Sequence, residues 1–375
     1  NGTAVINADG TVTYTPDTDF SGEDSFSYTV SDDEGASATA TVTITVGDDP
    51  QPPAPSTEPS AFYTLTNVTP GAFFLATGLD AELLGSTTGK TINVPTGAVA
   101  RGIDPATTVN LEGASADYAL QRNGTTLEVR DAGDGHLIAS LSASTTETSS
   151  LRFRDGAVQL AVESNSLAIG GAVLGDGEQV AGGTLSLDGS LTSNGLFHGG
   201  SELPGSASAN AFLTLTSATP ASFTLGQGLV LELLGDSAGK TLNVPDGAGL
   251  DNVDPATTVN LEGPSSDFTV QRNGTTLEVR DAADHLAASL NASSAETSAL
   301  IFADGHAELA VADGQIILGG VTFTDGLSQP GSALTLAPSP TSEPIFGIDL
   351  DARGGTTQNP ASLSAGDGAQ IGRAH

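Results

Sequence analysis

The chain has 375 residues, of which 45 are Asp or Glu and only 11 are Lys or Arg, giving a formal net charge of −34. A charge of this size repels phosphate backbones and anionic lipids, which argues against nucleic acid as a partner. There is no cysteine, so disulfides and thiolate metal sites are excluded. No apolar run approaches the roughly 18 residues that would predict a membrane insertion. The 47 glycines and 19 prolines, with abundant Thr, Ser and Val, favour an all-β fold.

Residues 1–46 carry apolar side chains at alternate positions, which is the period of a half-buried strand. The alternating residues are Val12 and Tyr14, then Phe26, Tyr28 and Val30, then Val42, Ile44 and Val46. Turn formers separate the three groups. The pattern predicts three or four antiparallel strands.

The segment DGTVTYTPDTDFSGEDSFSYTVSDDEGASATATVTITV, at 9–46, resembles the C-terminal half of the cadherin-like, Ig-type repeats of large secreted bacterial adhesins. The resemblance implies a partial Ig-like sandwich over 1–46. Such domains have further strands before this part, so we expect either that these strands were cut away or that another subunit supplies them by strand addition. The resemblance covers only the first eighth of the chain.

Residues 47–60 read GDDPQPPAPSTEPS, and this acidic, proline-rich composition predicts a semi-rigid linker.

The segment 61–174 recurs at 211–323. DPATTVNLEG stands at 104–113 and again at 254–263, and QRNGTTLEVRDA stands at 121–132 and again at 271–282. These are two copies of one domain, which we call copy 1 and copy 2, and we assign them to no family. The second is one residue shorter just before His285, in a polar turn where an indel costs little.

Each copy contains two hairpin signals. Asn123-Gly124, with Asn273-Gly274 in copy 2, stands between alternating segments, and Asp155-Gly156, with Asp304-Gly305, suggests a second hairpin. We find no sustained helical period. The sequence therefore predicts tandem β-sandwich or barrel-like domains.

The segments outside the copies have weaker patterns. Residues 175–210 are rich in Gly, Ser and Leu, and either add edge strands or serve as a connector. Residues 324–375 form a tail that we expect to be poorly ordered unless a partner holds it.

Two glycine-rich motifs have structural explanations that we prefer to catalytic ones. GSTTGKT at 85–91 and GDSAGKT at 235–241 have three residues between their glycines where a phosphate-binding loop needs four, and a strand pattern follows where that loop needs a helix. We expect β-turns with an exposed Lys90 and Lys240. GDSAG at 235–239 matches a nucleophile elbow, but Thr87 replaces Ser237 in the other copy.

Acidic turns are the candidate metal sites. The residues are Asp131 and Asp134, their counterparts Asp281 and Asp284, and Asp32 and Asp33 in the first domain. Such loops can bind calcium weakly, and the alternative is a solvated turn. Neither an EF-hand loop nor the glycine-rich nonapeptide calcium repeat is present. The five histidines are scattered, and we expect them at the surface.

The sequence therefore predicts a secreted, extracellular or cell-surface bacterial protein that is not an enzyme. We expect a structural or adhesive role as a surface stalk, biofilm matrix fibre or filament subunit, with self-association or contact with a cell surface or glycan. Strand complementation between subunits is one route to a filament. The alternative function is a glycan- or calcium-binding module of a secreted protein, in which two copies would add avidity.

Overall fold

The computed structural model describes residues 58–193, 196–197 and 205–338, together with the backbone of four strands nearer the N-terminus. Those strands are β1 (Gly2–Ile6), β2 (Val12–Pro16), β3 (Gly22–Ser31) and β4 (Ser37–Val46). β1 pairs antiparallel with β2, and β3 with β4. The antiparallel strands predicted for this segment are therefore confirmed.

Copy 1 forms β5 (Ala61–Leu65), β6 (Ala72–Phe74), β7 (Asp80–Leu84), β8 (Thr91–Val94), β9 (Val99–Ile103), β10 (Thr108–Leu111), β11 (Tyr118–Asn123), β12 (Thr126–Asp131), β13 (Leu137–Ser142), β14 (Ser149–Phe153), β15 (Gly156–Glu163), β16 (Ser166–Ile169), β17 (Ala172–Leu174) and β18 (Gln179–Ala181). Short 3-10 turns lie at Ser115–Asp117 and Gly182–Thr184.

Copy 2 repeats this series as β19 (Ala211–Leu215), β20 (Ser222–Thr224), β21 (Val230–Leu234), β22 (Thr241–Val244), β23 (Gly249–Val253), β24 (Thr258–Leu261), β25 (Thr269–Asn273), β26 (Thr276–Arg280), β27 (Leu286–Asn291), β28 (Ser298–Phe302), β29 (Gly305–Ala312), β30 (Gln315–Leu318), β31 (Val321–Phe323) and β32 (Ser328–Pro330). Its 3-10 turns lie at Ser265–Asp267 and Gly331–Ala333.

The first part of each copy winds as a β-solenoid of two stacked sheets. In copy 1 the chain alternates between the sheets, so that β5, β7, β9 and β13 lie in one and β6, β8, β10 and β14 in the other. Each strand therefore re-enters its sheet in the same direction and pairs parallel with its neighbour.

The all-β prediction is thus confirmed, but the solenoid does not support the sandwich or barrel that we predicted. That prediction rested on hairpin signals, which report only local antiparallel pairing. Parallel neighbours such as β5, β7 and β9 begin nineteen residues apart, at 61, 80 and 99, and carry no short-range signature.

The predicted hairpins occur in the last part of each copy. The Asn-Gly turns join β11 to β12 and β25 to β26, and the Asp-Gly turns join β14 to β15 and β28 to β29. Glu128 staples the first hairpin, because its carboxylate accepts hydrogen bonds from Asn123 Nδ2 at 2.8 Å and Arg130 Nη2 at 2.6 Å. Glu278 does the same in copy 2 with Asn273 and Arg280.

The core lies between the stacked sheets and runs continuously through both copies. Strands such as β5 and β14 alternate buried and half-buried residues, which places every second side chain inward. The rings of Tyr118 and Phe153 pack 5.7 Å apart, as do those of Phe268 and Phe302 in copy 2.

Two edge strands lie beyond the predicted copy bounds of 61–174 and 211–323. β18 pairs antiparallel with β11, so the 175–210 segment adds an edge strand, which is one of the two roles expected for it. β32 pairs with β25 in the same way, so the described start of the predicted tail belongs to the fold. The rest of the tail, at 339–375, lies outside the described residues.

Candidate functional site

The two copies meet head to head through their first strands. β5 pairs antiparallel with β19, which joins one sheet of each copy into a single sheet of 14 strands. The facing pairs are Ala61 with Leu215, Tyr63 with Leu213, and Leu65 with Ala211. Tyr63 and Leu213 occupy the same position in the two copies, so this junction has the self-complementary register of a two-fold dimer interface.

Threonine hydroxyls donate hydrogen bonds across the junction on both sides of its pseudo-two-fold axis. Thr66 and Thr69 of copy 1 donate to the backbone oxygen of Asn210, at 3.0 and 2.8 Å. Thr216 and Thr219 of copy 2 donate to the backbone oxygen of Ser60, at 2.8 and 2.6 Å. Each copy therefore supplies half of a reciprocal set of hydrogen bonds.

The second sheets also approach each other at the junction. Thr77 N donates to Thr224 O at 2.8 Å, Thr224 N donates to Thr77 O at 3.2 Å, and Phe74 N donates to Gln227 O at 3.0 Å. A Cβ atom at Gly226 would lie 2.0 Å from the carbonyl oxygen of Phe74, so this backbone contact requires glycine.

Tyr63 is fully buried at the centre of the junction, and its hydroxyl accepts a hydrogen bond from the backbone N–H of Ala76 at 3.2 Å. Burial raises the pKa of Tyr63, so this hydroxyl stays protonated at every physiological pH. Leu213 replaces it in copy 2, which breaks the symmetry at this point.

An ion pair beside the junction also distinguishes the copies. Arg101 donates through Nε and Nη2 to the two carboxylate oxygens of Asp80, and the Asp80 side chain is only 4% exposed. Burial raises the pKa of the neighbouring Glu82, and Arg101 opposes that rise. Copy 2 has Val230 and Asp251 in place of Asp80 and Arg101.

The predicted metal ligands of copy 1 come together in one turn. One donor atom each from Asp131, Asp134 and His136 lies within 4.8 Å of the others. Asp131 Oδ1 accepts the backbone N–H groups of Gly133 and Asp134, and Asp134 Oδ1 accepts the backbone N–H of His136 and contacts its Nδ1. Backbone and imidazole hydrogen bonds lower the pKa of Asp134, so it is ionised at neutral pH. His136 is largely buried and not at the surface as we expected.

The shorter turn of copy 2 changes these contacts. Asp281 alone makes the contacts that Asp131 and Asp134 share in copy 1. Its Oδ1 accepts the backbone N–H groups of Ala283 and His285, and its Oδ2 lies 3.1 Å from His285 Nδ1. Asp284 instead lies 3.8 Å from Arg280 Nη1. The one-residue deletion thus separates the carboxylate pair that copy 1 brings together. Asp32 and Asp33 lie outside the described residues.

The phosphate-loop-like motifs are turns, as predicted, but their lysines are half-buried and not exposed. Lys90 Nζ donates to the backbone oxygens of Thr69 and Pro70, and Lys240 does the same at Thr219 and Pro220. These lysines therefore bind the backbone of the same two segments whose threonine hydroxyls donate hydrogen bonds across the junction.

The serine of the elbow-like motif belongs to a buried polar network. Ser237 is fully buried, and its Oγ accepts the backbone N–H of Asp254 at 2.9 Å and lies 3.1 Å from Thr257 Oγ1. Thr87 makes the matching contacts with Asp104 and Thr107 in copy 1. The motif thus holds successive coils of the solenoid together.

Sequence reasoning missed the junction. A signal was present, because both copies carry a Thr-x-x-Thr element directly after their first strand, at 66–69 and 216–219. The element alone gives no indication of which carbonyl the hydroxyls would bind. Among the described residues, no helix has the length and apolarity to cross a bilayer.

Comparison with known proteins gives limited likenesses. The crystal structure of the extracellular lipase LipA from Serratia marcescens is similar at 12% identity and a TM-score of 0.19, over 59% of this chain and 37% of that one. That TM-score is too low to indicate a shared fold. No curated protein sequence matches the chain. Residues 1–45 match the model of the bacterial Ig domain family, which makes the N-terminal segment a bacterial Ig-like one.

Proposed function

We propose that the chain is part of an extracellular structural or adhesive protein, a surface stalk, matrix fibre or filament subunit, in which the two copies act as one load-bearing block. The junction carries this proposal. It covers the first strand of each solenoid with the other copy, so no unpaired edge remains there, and hydrogen bonds cross it in both sheets. Two domains joined in this way resist mechanical separation better than two domains that are connected only by a linker.

The N-terminal segment supports the adhesive part of the proposal. Its match to bacterial Ig domains agrees with the cadherin-like adhesin repeats that it resembles. Filament formation by strand complementation at this segment is testable by electron microscopy of the full chain. Filaments with contacts between this segment and a neighbour are the expected result, and isolated particles would contradict it.

Single-molecule stretching tests the load-bearing block. If residues 58–338 unfold as one unit, a single step should release about 1,000 Å of chain, at roughly 3.5 Å per residue. Two independent domains would instead give two steps of about 500 Å each. Gly226→Ala should convert the single step into two, whereas Gly71→Ala should not, because a Cβ at Gly71 meets no atom within 4 Å. Two steps from the unmodified chain would refute the proposal.

Cation binding at the turn of Asp131, Asp134 and His136 is a second candidate function, favoured by the convergence of their donor atoms. The carboxylates suit calcium, and the imidazole suits a transition metal such as zinc. Calorimetric titration with each ion should show binding that Asp134→Asn weakens and Asp284→Asn, the matched change in copy 2, does not. Absence of heat with both ions would leave the turn as a structural one.

A further inference from the structure

A cleft opens beside the junction, on the outer face of the 14-stranded sheet. It has a volume of 220 Å³ and is lined mainly by Thr66, Asn67, Val68, Asn210, Phe212 and Glu232. β19 alternates buried and half-buried residues, so Phe212 points outward between the buried Ala211 and Leu213. Glu232 lies directly beside Phe212 on the paired strand β21. The cleft exists only because the two copies meet, since each copy supplies part of its wall.

The cleft combines an apolar wall with polar groups that the protein does not use. Val68 is 62% exposed and, with Phe212, offers hydrocarbon surface. Asn210 is 6% exposed, and its Oδ1 accepts the backbone N–H of Val230 at 3.2 Å. Within the described part of the chain, Asn210 Nδ2 and the Glu232 carboxylate have no hydrogen-bond or ion-pair partner. Both groups therefore remain free to form hydrogen bonds with a ligand that enters the cleft.

The position related by the pseudo-two-fold axis lacks this combination. Ser60 stands in place of Asn210, and its hydroxyl is already engaged with the backbone of Asp80. Glu82 stands in place of Glu232 and faces Arg101 on the next strand, whereas Glu232 faces Asp251. On one side the Ser60 hydroxyl is engaged and Glu82 faces a cation, whereas on the other side Asn210 Nδ2 and Glu232 have no partner within the described residues and Glu232 faces a second carboxylate.

We propose that this cleft binds one ring of a neutral saccharide. A sugar ring has a C–H face that stacks on an aromatic ring and a rim of hydroxyls that both donate and accept. Phe212 receives the C–H face, Asn210 Nδ2 donates to one hydroxyl, and Glu232 accepts from another. The volume is below the roughly 300–1,000 Å³ of sites for drug-sized ligands, which suits a single ring.

The charge of the protein restricts the ligand further. The pair Glu232 and Asp251 and the net charge of −34 disfavour uronic, sialic and sulfated sugars. This proposal goes beyond the load-bearing role. A chain that stretches in two steps but binds sugar refutes only the mechanical proposal, and loss of sugar binding leaves that proposal intact.

Saturation-transfer NMR on the full chain tests the site, with glucose, galactose, mannose and N-acetylglucosamine as neutral probes and glucuronate as the anionic one. At least one neutral sugar should bind at millimolar concentration, and glucuronate should not. Phe212→Ala should weaken binding about tenfold, and Phe62→Ala, the matched change across the axis, should leave it unchanged.

Asn67→Ser provides a second variant, because the exposed side chain of Asn67 lines the cleft and would be shortened to that of its counterpart in copy 2, Ser217. It should weaken binding while the urea unfolding midpoint stays unchanged, so the test stands even if Phe212→Ala perturbs the fold. The proposal is overturned if no neutral sugar binds, if glucuronate binds equally well, or if Phe62→Ala is as damaging as Phe212→Ala.

Discussion

Removing Arg101 should destabilise the protein clearly more than removing Arg130, whose ion pair is more exposed. Arg101→Ala leaves the Asp80 carboxylate, whose side chain is 4% exposed, without its guanidinium partner. Removal of one partner from a buried ion pair costs about 3–5 kcal/mol, because the remaining charge stays desolvated. The Arg101 side chain is itself 21% exposed and partly screened by water, so we expect a loss near 3 kcal/mol.

Copy 2 provides the compensating change. It has the fully buried Val230 at the position of Asp80, so a valine fits this place in the solenoid. Asp80→Val alone should cost about 1 kcal/mol, since Arg101 can still reach water. The double variant Asp80→Val/Arg101→Ala should lose little more than Asp80→Val does, because the additional loss is only the interaction of Arg101 with the partly exposed Glu82. The coupling between the two positions should therefore be about 3 kcal/mol.

Urea unfolding followed by circular dichroism measures all four members of this cycle. Arg130→Ala is the control, because Arg130 is 32% exposed and its pair with Glu128 should be worth at most about 1 kcal/mol. A coupling below about 1 kcal/mol, or a double variant as unstable as Arg101→Ala, would refute the reasoning that an unpaired buried carboxylate dominates the cost.

Three further predictions concern the junction and the hairpins. Gly226→Ala should lower the unfolding midpoint clearly, because its Cβ would meet the Phe74 carbonyl, while Gly71→Ala should change it little; equal effects would contradict the close approach. Tyr63→Phe should cost about 1–3 kcal/mol in urea, because it leaves the buried Ala76 N–H unpaired, and an unchanged midpoint would show that this N–H has another partner. Burial tends to raise the pKa of Glu128 and of Glu278, but hydrogen bonds from their asparagine and arginine partners outweigh it and lower both pKa values. The ionised forms therefore stabilise the fold above the ordinary value of 4.5, and that stability is lost as the pH falls below it. With both residues changed to Gln, stability should depend less on pH in this acid range, and an unchanged slope would exclude these two carboxylates as its cause.

The acidic turns show how much of a candidate site the sequence could predict. The sequence pattern predicted that Asp131 and Asp134 lie in a turn, and the structure agrees, because turn chemistry is local. It gave equal weight to Asp281 and Asp284, whose geometry differs because one deleted residue turns Asp284 toward Arg280. The residues of the junction and cleft come from segments about 150 positions apart, so no pattern in either segment predicts their contact.

The sequence by itself determined the all-β class, the duplication and the hairpins, since alternation and Asn-Gly or Asp-Gly turns act over a few residues. Only the tertiary structure decided that the strands of each copy wind as a solenoid and that the two copies join through β5 and β19. Both arrangements depend on backbone hydrogen bonds between distant strands. Such bonds use the same N–H and C=O groups whatever the side chains are, so the choice of partner is made by the packing of the whole core.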